Sequence, residues 1–233
     1  MRKLIIRYSI EFFVIVFSIS VSFFVENIRE EIEKDKKRTL IKTSLLQEIK
    51  GFEERLNGRI AAFEGDYNAL LYVLDDNRNI DSIFNNISNA GFANPFFIAR
   101  GFNPPNSIYN SLVSDGDINL LKSTQVKSLL EMTYVQIPEF MDGWGESEST
   151  IAKGIESYVI KNYPKFYNKD VYTSEDKNIM EEFILMVDSD EQLKALIKSK
   201  TSSMINRSRT LKNRYVKYRD SLIIELEKDL KDN

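Results

Sequence analysis

The run Leu4 to Val25, LIIRYSIEFFVIVFSISVSFFV, constrains this chain more than any other stretch. Its 22 residues carry only two ionisable side chains, Arg7 and Glu11. As a helix it measures about 33 Å, enough to cross the hydrocarbon core of a bilayer. A secretory signal has a shorter apolar run and a small-residue cleavage site, and Ser20-Val21-Ser22 is only a faint match to such a site. The reading is a retained transmembrane helix over 4–25, behind a short basic tail at 1–3.

Helical spacing sorts the residues of this run. At 100° per residue, Arg7, Glu11, Ser18 and Ser22 fall within an arc of about 60°, and Val25 joins them. Phe12, Phe13, Phe17, Phe23 and Phe24 lie on the opposite side. Small and hydroxylated side chains are what membrane helices use to meet one another. An ionisable residue at the centre of a span costs about 2.5–3.5 kcal/mol, and less near its end. Glu11 sits near the end, and Arg7 one turn earlier can pair with it or reach the headgroups. Arg7, Glu11, Ser18, Ser22 and Val25 therefore form an expected association stripe. Its expected partner is a second copy of the chain or the transmembrane helix of another protein. An ion-conducting or pore-forming oligomer lined by Glu11 is the alternative. Arg2 and Lys3 favour a cytoplasmic amino terminus, whereas a plain count of Arg29, Lys34, Lys36, Lys37 and Arg38 after the span favours the reverse; since Glu26, Glu30, Glu31 and Glu33 come first and long domains translocate largely regardless of charge, the preferred reading puts the domain on the far side.

Composition removes most chemistries. The chain has no cysteine, so neither disulfides nor thiolate catalysis are open to it. It has no histidine either, which takes away the usual general base and the commonest metal ligand. The balance of 32 basic against 35 acidic residues leaves no footprint for nucleic acid. No phosphate-binding glycine loop, nucleophile elbow or calcium-loop spacing is present. The expectation is a protein that is not an enzyme and uses no cofactor or metal. It would act by binding, as a scaffold, sensor or accessory subunit of a membrane complex.

The rest of the chain reads as helix. Leu45, Ile49, Phe52, Leu56, Ile60, Phe63, Tyr67, Leu70 and Leu74 recur at gaps of three and four, an amphipathic stripe. With the charged, breaker-free stretch after the span, this makes one long helix over 26–74. Residues 188–233 carry a second stripe from Leu193 to Leu226, interrupted at Lys200 and Ser208, with a capping box at Ser189 and Gln192. Two long helices at opposite ends of a chain suggest an antiparallel pair. Between them, 75–106 reads as a membrane-distal loop whose phenylalanines have two readings: plugs that fill the core, which is preferred, or, at Phe92, Phe96, Phe97 and Phe102, a candidate contact surface. Residues 107–187 hold shorter helices: one ended by Gly116, one from about Ser123 with Phe140 facing inward and a kink at Pro138, a break at Gly143–Glu146, then two more. The fold class is all-α: a transmembrane helix continuing into a long helix, packed with a long C-terminal helix and several short ones as an elongated bundle.

Within SIYNSLVSDGDINLL, Tyr109 and Leu112 share a helical face, Gly116 ends the helix, and Ile118 turns back into the core. The pattern reads as a structural corner. Together with IEFFVIVFSISVSFFVENIRE it resembles a family of uncharacterised single-pass membrane proteins of Gram-negative bacteria. Those proteins carry a glutamate near the start of the span, an asparagine at its exit and a later Tyr-x-x-Leu-x-x-x-Gly-x-Ile motif, here Glu11, Asn27, Tyr109, Leu112, Gly116 and Ile118. The resemblance implies membrane anchoring and a helical soluble part, and no activity; with the orientation read above, the expected place is the bacterial inner membrane, with the helical domain in the periplasm.

Overall fold

The structure is a computed structural model that describes residues 2–76, 95–167 and 177–231. All the regular structure among them is helical. Helix α1 (Arg2–Gly51) runs without interruption from the apolar run into the bundle. At Phe52 the α-helical ladder gives way to a tighter bond, from the Phe52 N–H to the Ile49 carbonyl, and α2 (Glu53–Leu74) continues the rod.

A short helix α3 (Ser107–Ser114) follows the return segment 95–106. Gly116 then adopts a left-handed φ of 73° and leads into a single 3₁₀ turn, Asp117–Leu120. Helix α4 (Thr124–Glu131) starts on a Ser123 cap, whose hydroxyl accepts from the Val126 N–H. It passes through a π-turn at Met132–Gln136 into α5 (Ile137–Asn162). Pro138 was expected to kink this helix. The irregularity sits just upstream, where the Ile137 N–H reaches the Met132 carbonyl. The expected break at Gly143–Glu146 is absent, because α5 runs straight through it. Phe140, expected inward, is exposed, against Trp144 and beneath the Arg214 guanidinium.

After a one-turn helix α6 (Pro164–Tyr167) come α7 (Lys177–Ser189) and α8 (Glu191–Thr210). A π-turn at Leu211–Tyr215 joins α8 to α9 (Val216–Lys231). The cap of α8 falls one residue later than the expected Ser189. Asp190 accepts from the Gln192 and Leu193 N–H groups, while the Ser189 hydroxyl closes α7 on the Met186 carbonyl. A carboxylate suits a helix N-terminus better than a hydroxyl because it also opposes the positive end of the dipole.

The two long rods are antiparallel. Lys42 meets Asp229, Lys50 meets Glu227, Glu64 meets Lys212 and Asp76 meets Lys194. Their contact buries three apolar layers. Ile41, Leu45 and Ile49 pack with Leu222, Leu226 and the corner residues Tyr109 and Leu112. Phe52, Leu56 and Phe63 pack with Ile137, Leu211 and Tyr215. Leu70 and Val73 pack with Val159, Phe183, Leu193 and Ile197. Each fully buried Leu or Phe contributes roughly 1.5–3 kcal/mol, which is why the register is held by the stripes and not by the surface ion pairs.

Candidate functional site

The middle and distal layers are separated by charge. Asp66 on α2, Glu148 on α5, and Lys200 and Arg207 on α8 are all buried. Lys200 and Arg207 stand two turns apart and so share the inner face of α8. Arg207 and Glu148 form an ion pair at 2.6 Å with both side chains 2% exposed. The Arg207 guanidinium lies over the Phe63 ring and also donates to the Arg100 carbonyl. Arg100 in turn grips Asp66 through two nitrogens. Lys200 donates to the carbonyls of Phe96 and Ile98, at 2.9 and 2.6 Å. These four contacts fix residues 96–100, which have no helix or sheet of their own to satisfy their backbone.

Burial moves the titrations. It pushes the Lys200 ammonium down to about 8, against the pull of Glu148 and Asp66. It raises the Glu148 carboxyl above the usual carboxylate range, against the pull of Arg207. Arg59, two turns before Asp66 on α2, is lowered by its own burial and by repulsion from Arg100 and Arg207, against the pull of Asp66.

An open cleft of about 660 Å³ lies on the α2 side of this cluster. Arg55, Arg59 and Arg100 line it, over a floor that includes Phe52, Ala62 and Phe102. Arg55 and Arg59 are one turn apart on one face. No carboxylate lines the cleft among the described residues. The arrangement offers guanidinium donors and apolar surface, the means to hold an organic anion, and no nucleophile beside a base. No group of three acidic side chains placed to hold a metal ion occurs among the described residues.

The residues singled out from sequence are scattered by comparison. Glu11, Ser18, Ser22 and Val25 lie on the exposed part of α1, which packs on nothing else in the described chain. The Ser18 and Ser22 hydroxyls donate back to the carbonyls of Val14 and Ser18. The Arg7 side chain and Phe92 lie outside the described residues. Of the two readings of these phenylalanines, the core plugs hold and the contact surface does not: Phe96 and Phe102 are core residues, 0% and 1% exposed, and Phe97 packs half-buried against the distal layer. Residues 95–106 do not form a tip. They return along the bundle from the distal layer through the middle one to α3. The corner is as expected. Tyr109 stacks on Tyr134 at 4.9 Å, with Leu112 buried beside it and Ile118 packed against the same layer.

Sequence reasoning missed the charged cluster. Lys200 and Ser208 read as interruptions of a stripe, and Asp66, Glu148 and Arg207 drew no attention. In the charged stretch after the span, Lys37 pairs with Asp117 and Arg38 donates to the Leu120 carbonyl, docking the corner on α1. No family model, curated protein or solved structure matches the chain.

Proposed function

We propose that this protein is a single-pass, membrane-anchored helical bundle that acts by self-association or partner binding and not by catalysis. The carrying observation is the division of one continuous helix. The helix is long enough and holds an apolar stretch sufficient, by length and composition, to cross a bilayer, and from Ile10 to Val25 it packs against nothing else among the described residues. From Ile41 onward the same helix is built into the core. Exposed phenylalanines and isoleucines over such a length are stable in lipid, where serine hydroxyls bonded to their own helix leave no polar group unpaired. The resemblance to bacterial single-pass proteins supports the same anchor, and the proposed topology, from Arg2 and Lys3 before the span, puts it in the inner membrane with the bundle in the periplasm.

The absence of native cysteine allows a direct test. A single cysteine is placed at Ser18, on the stripe with Glu11, and separately at Phe17, on the bulky face. Oxidation of native membranes gives cross-linked dimers from Ser18→Cys and none from Phe17→Cys. Cross-links from neither variant, or from both alike, would remove the stripe as a self-association surface. Release of the protein from membranes by alkaline carbonate would remove the anchor itself.

A further inference from the structure

We propose that the cleft between α2 and the return segment is a binding site for a small organic phosphate, held by Arg55 and Arg59 and seated beside Arg100. This goes beyond the anchoring and association proposed above, and the cleft itself does not depend on them. The charge balance points to the class of ligand. Arg100 is already neutralised by two bonds to Asp66, and Arg207 by Glu148. Arg59 makes no hydrogen bond or ion pair among the described residues, and Arg55 is engaged only with the face of the Phe52 ring, at 5.3 Å. Two guanidinium charges therefore face a cleft that no carboxylate lines among the described residues; Asp66, which also draws on Arg59, is already bound to Arg100. A dianion matches them in number, and planar guanidinium groups meet phosphate oxygens two at a time.

Keeping Arg59 there is unfavourable without a ligand. It is half-buried and repelled by Arg100 and Arg207. A side chain held against such repulsion, where a neutral one would fit, is a mark of a binding position. Size adds a second constraint. At about 660 Å³ the cleft lies within the range of small-molecule sites and is too large for a bare phosphate. Its apolar floor of Phe52, Ala62 and Phe102 suits the carbon part of a phosphomonoester. A lipid headgroup offers the same phosphate chemistry. On the proposed topology, however, Arg55 stands about 45 Å along the helix from Val25, beyond the reach of a headgroup in the same membrane.

The test uses the full chain in detergent, with inorganic phosphate and phenyl phosphate as probes. Both raise the melting temperature saturably, and phenyl phosphate does so at a concentration at least about tenfold lower, because its ring covers the apolar floor. Arg59→Gln melts at or above the wild-type temperature without probe, yet weakens the response at least about tenfold, the loss expected for a charged hydrogen-bonding partner. Arg55→Gln, at an exposed position, weakens it as well, and Arg209→Gln, outside the cleft, leaves it intact. No saturable shift in the wild type, or a shift that Arg59→Gln retains in full, would overturn the site. Competition with phenyl phosphate by phosphatidic acid vesicles, and not by phosphatidylcholine vesicles, would overturn the soluble source in favour of a headgroup.

Discussion

Gly145 lies against Arg207 so closely that a Cβ at Gly145 would stand 3.2 Å from the Arg207 Nη2. The guanidinium is pinned there by Glu148, one turn further along α5, and by the Arg100 carbonyl. The glycine therefore stays inside α5 at a position where alanine would favour the helix by about 1 kcal/mol.

Two glycines of the same helix separate these effects. Gly143 has open space around an added Cβ. Gly143→Ala should stabilise the protein by about 0.5–1 kcal/mol through helix propensity. Gly145→Ala should destabilise it, because the steric conflict with a pinned side chain outweighs the same gain. Thermal unfolding of the two variants checks this, and equal shifts of the same sign would refute the steric account.

The Arg207–Glu148 pair should behave as a unit. Glu148→Gln leaves a buried guanidinium uncompensated and should cost about 3–5 kcal/mol. Adding Arg207→Met to it removes the stranded charge and should recover part of that loss. Urea unfolding of the two singles and the double gives the coupling, and additive effects would show that the two charges are independent.

Lys200 makes stability depend on alkaline pH. A lysine in the unfolded chain titrates near 10.4. Folded Lys200 titrates at about 8. Between those values the unfolded chain binds the extra proton, so stability rises with pH. Below the folded value the full penalty of burying the charge is present. Measured against Lys200→Met, the wild type should gain up to about 3 kcal/mol between about pH 8 and pH 10.4. Parallel pH profiles for the two proteins would rule this out.

The rods and their pairing were legible because apolar residues repeat with the helical period. Leu45 to Leu70 and Leu193 to Leu226 face each other largely as their spacing requires. The corner was legible for a related reason: a left-handed glycine between helix-forming segments has few alternatives. The charged cluster was not. A lysine on an apolar stripe reads as a gap in it, and only three-dimensional placement reveals that Lys200 fills that gap by capping two backbone carbonyls. One signal was available: Lys200 and Arg207 are spaced at two helical turns between Ile197 and Leu211, where a solvated face would not recur. Gly145 was misread for the same reason. Its neighbour is distant in sequence, so the residue looked like a breaker when it is a contact. The phenylalanines of 96–102 face inward because the segment that carries them is tied down by Asp66 of α2 and by Lys200 and Arg207 of α8.

Helix α1 has no linker between Val25 and Ile41. The bundle is thus keyed to the apolar segment in rotational phase. One residue inserted between those positions would turn the arginine cleft by about 100° about the rod and advance it by about 1.5 Å. Residue count in that stretch acts as a dial: it sets the compass direction in which each copy's cleft points when the apolar segments of two neighbours are aligned.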